Sequence, residues 1–445
     1  MVDAGRPGVL LTESTYLGTL AAVRSYGRAG IPCAVAYDSH LGAAGWSRFA
    51  SRRLKCPSYS SSGEMLRWLL AFGEANPGHV LYATSDDSAW LYSRHKDELK
   101  RYFRMFQPDL QAVYGLLNKQ RLVEVARLEG LEFPKTWFPR SEADVRQIAA
   151  SAQFPVLFKP VTQVLHGSHG KGVVVERAED LAKWYAALAH QPHGEELVAL
   201  DPDVTHPLVQ EFQPEAKEGI YSISGFIDED AVLLGARAAV KILQRPRRVG
   251  VGVCFEHAEL QPELMAAIVR VCRRIGFYGV FEVEFIRNGD KYLMIDFNPR
   301  FYGQMAFDIA RGLQLPLLAY YSALGQHERV LELAEAARQP TRPTTLMVHC
   351  NRIEFEIMVV AQRIARGLSS GEVAAWRSWY QQNRSRMVDP VLARDDRRPF
   401  VVELARHLRD MALHPRSFLK STMASLLVWN LQLSTLLGDL PTDPV

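Results

Sequence analysis

The stretch Gly279-Val-Phe-Glu-Val-Glu-Phe-Ile286, followed at once by Lys291-Tyr-Leu-Met-Ile-Asp-Phe-Asn-Pro-Arg300, restricts this part of the chain to two neighbouring strands. Between the two β-rich runs, Arg287-Asn-Gly-Asp290 is a turn signal, so the pair reads as a hairpin. Side chains alternate faces along a strand, which puts Glu282 with Glu284, and Asp296 with Asn298 and Arg300. The hairpin then sets Glu284 opposite the segment from Asp296 to Asn298. Hard divalent cations want oxygen ligands, and Mg2+ takes one or two carboxylates while leaving positions for substrate phosphate. Glu284, Asp296 and Asn298 meet that need, and the spacing leaves open whether Glu282 joins them. The competing reading is a solvated polar face on an edge hairpin, a common setting for acids.

With 445 residues, 48% of them hydrophobic, the chain can bury a large core, and its length predicts about three domains of roughly 150 residues each. A formal net charge of +3 gives no case for a nucleic-acid partner, although Arg245-Pro-Arg-Arg248 is locally basic. The late apolar run from Met423 to Trp429 is broken by Asn430 and Gln432, too short to span a bilayer, so no membrane is expected. Cys33, Cys56, Cys254, Cys272 and Cys350 form no CxxC pair, which argues against a disulfide frame or a zinc site. Buried reduced thiols in a cytoplasmic protein are the simplest reading. No charged segment followed by an apolar one opens the chain, so no secretory signal is expected.

Along the first hundred residues, the apolar run Gly8-Val-Leu-Leu11, a helical pattern over residues 19–30 and the run Pro32-Cys-Ala-Val-Ala36 make a strand, helix, strand unit. A helix over residues 64–74 and the strand His79-Val-Leu-Tyr-Ala-Thr84 extend it into an open parallel sheet with helices on both faces. Loops after such strands tend to bind ligands. Ser14-Thr-Tyr-Leu-Gly18 and Asp86-Asp87 are therefore candidates, though a serine or threonine there serves equally as a helix cap. Further on, Lys159 is the only charge in the buried-looking strand Phe154-Pro-Val-Leu-Phe-Lys-Pro160. A lysine there must snorkel or find an anion, and phosphate is one. His166-Gly-Ser-His-Gly-Lys-Gly172 offers three glycines able to fold amides over phosphates, but it lacks the ending of a P-loop and opens no helix.

These segments lie in a definite order. Asn118-Lys119, Leu131-Glu-Phe-Pro134, Pro155 to Pro160, Gly167 to Gly172, Leu208-Val-Gln-Glu-Phe-Gln-Pro214, Glu282-Val-Glu284 and Asp296-Phe-Asn-Pro-Arg300, over residues 114–325, resemble the ATP-grasp superfamily. Within it the chain looks most like the carboxylate–amine ligases related to carbamoyl-phosphate synthetase. The resemblance implies an α/β chain with the ATP-grasp fold: a pre-ATP-grasp parallel domain over residues 1–110, an ATP-grasp domain over 111–326 with a lid at about 133–208, and a mainly helical extension over 327–445.

Carried over residue by residue, the resemblance implies that Lys119 and Lys159 hold the α and β phosphates of ATP. It makes Gly167, Ser168, His169, Gly170 and Gly172 part of a lid over the triphosphate. Glu211 and Phe212 fall at the hinge that reads adenine, and Glu218 takes the place of the ribose-binding acid. Glu284, Asp296 and Asn298 match the residues that hold Mg2+, for which Mn2+ can substitute. Arg300 matches the arginine beside the transferred phosphoryl group, and Lys241, then Arg237, the basic residue facing the γ-phosphate or the substrate carboxylate. One departure is that the family more often has glutamate where this chain has Asp296. Tyr302 and Gln304 are candidates for the acceptor pocket.

The implied activity is ligation: ATP phosphorylates a small carboxylic acid, which an amine then attacks, with no nucleophile from the protein. Two other readings keep part of this picture: the same fold with bicarbonate or a thiol as acceptor, and a nucleotide-binding module without catalysis. The region from residue 327 on matches no motif. Its helical stripes at residues 403–413 and 417–433 are expected to dock on the body or on a second copy as a homodimer, and Trp376, Trp379 and Tyr380 read as packing. His349 and Asn351, near a strand end, are the residues to watch there.

Overall fold

The computed structural model describes residues 6–166, 172–189, 193–217, 219–245, 250–338, 347–364 and 368–415. Strands β1 (Val9–Leu11), β2 (Cys33–Tyr37), β3 (Ala50–Lys55) and β4 (Val80–Leu81) form a parallel sheet of order β3-β2-β1-β4. The runs of β1, most of β2 and β4 are wholly buried because helices Leu17–Arg28 and Ser62–Ala75 cover the sheet, the usual need of a parallel one. From β1 the chain crosses to β2 and β3 on one side and returns to β4 on the other. Strand order therefore reverses between β1 and β4.

A second sheet is antiparallel: β5 (Thr136–Trp137), β6 (Val156–Lys159), β7 (Val173–Val175) and β8 (Leu208–Glu211) in the order β5-β8-β6-β7. Val145 and Ile148 of helix Glu142–Ser151, and Leu181 and Tyr185 of helix Leu181–Ala189, pack on its Val156, Phe158 and Val209.

The largest sheet contains β9 (Ile220–Ile227), β10 (Leu233–Arg245), β11 (Val251–Ala258), β12 (Gly279–Asn288), β13 (Lys291–Asn298), β14 (Val348–Cys350) and β15 (Met387–Val388) in the order β13-β12-β9-β10-β11-β14-β15. Alternation splits its faces. Ile223, Phe281, Val283 and Phe285 turn towards helices Lys119–Leu128 and Pro262–Ile275 and bury with their Leu122, Ala126, Ile268 and Val271. The alternate positions Ser222, Ser224, Glu282 and Glu284 line up across β9 and β12 on the other face.

The C-terminal extension is mostly helical, with helices His327–Arg338, Arg352–Ile364, Ser370–Asn383 and Arg398–Leu413, but it also adds two strands to the central sheet. Trp376, Trp379 and Tyr380 pack around Phe355. The apolar stripe expected on the last of these helices does not dock on the body of the chain. Its buried side chains are Pro399, Glu403 and His407; His407 pairs with Glu354 and with Glu403, and Glu403 also with Arg406, while Val401 and Leu408 remain 64% and 52% exposed. The stripe at residues 417–433 lies outside the described residues. Among the described residues no helix is long and apolar enough to cross a membrane.

Residues 389–397 then return to the N-terminal sheet. Arg24 pairs with Asp396 at 2.9 Å and donates to the carbonyls of Pro390 and Val391, and Asp396 also accepts from Ser47 and the Arg48 amide.

Candidate active site

The hairpin of β12 and β13 turns on two residues, with Asn288 opposite Lys291 and Gly289 in the left-handed region at φ +61°. Register runs evenly to Phe285 opposite Met294 and then slips, so that Glu284 faces Asp296 and Glu282 faces Asn298. Ile295 is the extra residue of a β-bulge, a device that re-aims side chains beside functional sites. Without it, Ile295 would stand opposite Glu284.

Two lysines close on these acids. Lys241 Nζ, from β10, lies 2.6 Å from Glu284 Oε1, with the lysine 4% and the glutamate 13% exposed. Lys119 Nζ lies 2.7 Å from Asp296 Oδ1. Asn118 positions Lys119 by capping its helix: Oδ1 accepts from the amides of Gln120 and Arg121. The Lys119 amide donates to Val161 O at 2.8 Å, which ties this helix to the segment just after β6. On β6 itself, Lys159 Nζ donates to Gln210 Oε1 of β8 at 3.0 Å.

Glu282, left open by the spacing, has both carboxylate oxygens taken by amides: Asn298 Nδ2 at 2.5 Å and Gln304 Nε2 at 2.7 Å. Burial, and then the charge of Glu284, push its carboxyl up to about 7. It therefore orients Asn298, whose Oδ1 accepts from Arg300 Nη2 at 2.8 Å. Arg300 also donates from Nε to Asp86 Oδ1 at 2.6 Å, so one guanidinium joins the hairpin to the loop after β4 of the parallel sheet.

The other predicted residues fall as follows. Arg237 spends its guanidinium on the backbone carbonyls of Ala236, Arg311 and Ala337, at 2.8, 3.0 and 2.9 Å, which makes it a strut between β10 and the following helices. Glu211 ends β8, where its amide donates to Lys135 O, and Phe212 follows it. Gly172 precedes β7 at φ +153°, and a Cβ there would sit 2.6 Å from Phe158 O, so the position takes only glycine. Gly167, Ser168, His169, Gly170 and Glu218 lie outside the described residues. Tyr302 is buried with its hydroxyl on Asp308, which also accepts from Ser224 Oγ at 2.6 Å and from Arg311.

Sequence reasoning passed over Glu13. It follows β1 at φ +56°, and its Oε2 lies 3.0 Å from the Thr84 hydroxyl. Burial, followed by the charge of Asp87, pushes its carboxyl up to about 8. Burial also raises Asp87, to about 6, while its Oδ1 accepts the Leu165 amide at 2.7 Å. Asp86 and Asp87 were visible as polar residues after a strand; a left-handed glutamate has no sequence signature.

Among solved structures, a biotin carboxylase from Campylobacter jejuni matches with a TM-score of 0.53 over 71% of this chain and 71% of that one, at 16% identity. An L-amino acid ligase from Bacillus licheniformis matches with a TM-score of 0.52 over 72% of this chain and 75% of that one, at 14% identity. The chain has the ATP-grasp fold. An N5-carboxyaminoimidazole synthetase from Staphylococcus aureus, solved with ADP, shares it with a TM-score of 0.51 at 12% identity, covering 68% of this chain and 73% of that one. This is the fold that the ordered ATP-grasp motifs imply. No protein-family model matches the chain. By sequence it is 23% identical over 256 residues to a D-aspartate ligase of Enterococcus faecium, covering 55% of this chain and 58% of the relative. It is 25% identical over 193 residues to a carbamoyl phosphate synthase large chain of Helicobacter pylori, covering 41% and 16%. The chain thus spans only part of the curated relatives it matches.

Proposed function

We propose that the protein is an ATP- and Mg2+-dependent ligase that activates a small carboxylic acid as its acyl phosphate and joins it to an amine, releasing ADP and phosphate. One observation carries the reading: on a single sheet face of an ATP-grasp fold, two carboxylates are each held by a lysine, with Asn298 and Arg300 beside them. The sequence relatives named D-aspartate ligase and carbamoyl phosphate synthase support it.

A carboxylate is a poor electrophile, and turning its oxygen into phosphate makes a leaving group. Charge on the transferring phosphoryl group is then the main obstacle, and fixed cations are the main remedy. Lys119 and Lys241 each hold an ammonium at the acids, and both can swing from carboxylate to phosphate when nucleotide enters. Glu284, Asp296 and the Asn298 carbonyl are hard oxygen donors on adjoining strands, a set that fits Mg2+. When bound there, the ion would neutralise phosphate charge. Arg300 is fixed at its Nε by Asp86 and at Nη2 by Asn298, so it presents a set orientation to the acid. Lys159, at the end of β6, would meet the remaining phosphates.

The test is release of ADP and phosphate over a panel of amino acids and small acids, with and without amines. Release should require an acid, and hydroxylamine should trap the activated acid as a hydroxamate. Glu284→Gln is expected to lower kcat by about 100- to 1000-fold, as loss of one charge-stabilising group does. Normal turnover by that variant, or release that ignores every acid, would refute the assignment.

A further inference from the structure

Open parallel sheets bind ligands outside the carboxyl ends of their strands at the point where strand order reverses. Here that point lies between β1 and β4, whose outgoing loops carry Glu13 and Thr84 to Asp87. The Thr84 hydroxyl joins the loops, 3.2 Å from Thr12 O and 3.0 Å from Glu13 Oε2. Arg300 enters from the other side, bound to Asp86 and to Asn298. Arg300 thereby links these loops to the strand end that carries Asp296 and Asn298.

Three carboxylates meet there and two are committed. Asp86 is neutralised by Arg300, and Asp87 holds the amide of Leu165. Glu13 is held by the neutral hydroxyls of Thr84 and Ser85 and is largely buried. A carboxylate with neutral partners, beside the group that grips the acid, is a seat for an ammonium ion.

We propose that this site binds the amine co-substrate as its ammonium ion and that Glu13 is the catalytic residue that takes a proton from it. The inference rests on the ligase reading. The nitrogen loses one proton to a Glu13 oxygen and, with its lone pair exposed, attacks the acyl carbon. The C–N bond forms, the bond from carbon to the phosphate oxygen breaks, and its electron pair leaves with phosphate. Phosphate takes the second proton, the amide keeps the third hydrogen, and Glu13 returns its proton to water.

The groups around Glu13 suit that role. Asp86, Asp87 and Arg300 face it from the β4 and β13 loops, and Tyr16 from its own. Tyr59, Tyr92 and Cys56 stand behind, all kept protonated by burial well above neutral pH. A carboxyl raised to about 8 is a far better base for an ammonium than an ordinary glutamate, since general bases work best near the operating pH.

The experiment compares two nucleophiles on the full chain with one accepted acid: ammonium chloride, which must lose a proton, and hydroxylamine, which is already neutral near pH 7. Glu13→Gln should cut amide formation from ammonium at least about 100-fold more than it cuts hydroxamate formation. In the native protein, kcat/KM for ammonium should rise through about pH 8, with the Glu13 limb missing in the variant. Equal loss with both nucleophiles would overturn the role of Glu13 and leave the ligase reading standing. Absence of hydroxamate from the native protein with every acid would overturn the ligase reading, and this inference with it.

Discussion

Replacing Lys241 with methionine tests the charge arrangement at the centre of the site. The pair with Glu284 is 2.6 Å apart and nearly buried, so at an effective dielectric of about 20 its gross attraction is about 6 kcal/mol. Dehydration of both ions offsets most of that, which leaves the intact pair nearly neutral for stability. Breaking it is different, because Lys241→Met strands a carboxylate that is only 13% exposed. The expected cost is about 3–5 kcal/mol, and Glu284→Gln should be costly for the mirror reason. The double variant strands neither charge, so it should recover about 2–3 kcal/mol of the summed losses. Urea unfolding of the four proteins without nucleotide gives the cycle. Mg2+ supplies a second reading: it should raise the unfolding midpoint of Lys241→Met more than that of the native protein, where the lysine competes for the same oxygen. Strictly additive losses, together with no extra response to Mg2+, would refute the account.

Two further outcomes concern the scaffold. His349 is buried with both ring nitrogens unpartnered, and burial holds it down at about 4. The unfolded chain takes up that proton near pH 6.5 and the native state resists it, so the stability this group confers is intact above about pH 6.5 and falls as pH drops towards 4. Between pH 7 and 5 the loss should be about 2 kcal/mol, and His349→Phe should remove it; an unchanged pH slope in unfolding midpoints would contradict this. Arg24→Met strands the buried Asp396, so a loss of about 3–5 kcal/mol and faster proteolysis near residues 389–397 are expected. Unaltered stability and cleavage would mean that this clasp does not hold the extension in place.

What could be read from sequence was what depends on near neighbours. Alternation and the turn residues put Glu284 by Asp296, and the apolar runs around residues 8–36 gave the parallel unit. Features that depend on distant packing were hidden. The bulge at Ile295 comes from a register slip that no local pattern encodes, and the amides on Glu282 come from Asn298 and Gln304 on other segments. Arg237 looked like a phosphate ligand because its carbonyl partners, Arg311 and Ala337, lie far along the chain. Strands β14 and β15 are three and two residues long, too short for any period to show. The helix from residue 398 was legible as amphipathic, yet the face it buries is the charged one, because Glu403 and His407 find partners in Glu354 and Arg406.

The slip at Ile295 also changes what stands beside the acids. Because two successive residues there oppose one on β12, the isoleucine is not turned to the opposite side of the sheet; it packs with Ile220, Ile286 and Leu293 on the flank of Asp296. An oily shoulder therefore flanks one side of Asp296, whose side chain is otherwise 34% exposed. Any cation drawn to Asp296 would feel a stronger pull than a bare strand edge supplies, so trimming that shoulder to alanine would weaken the grip without touching a single ligand.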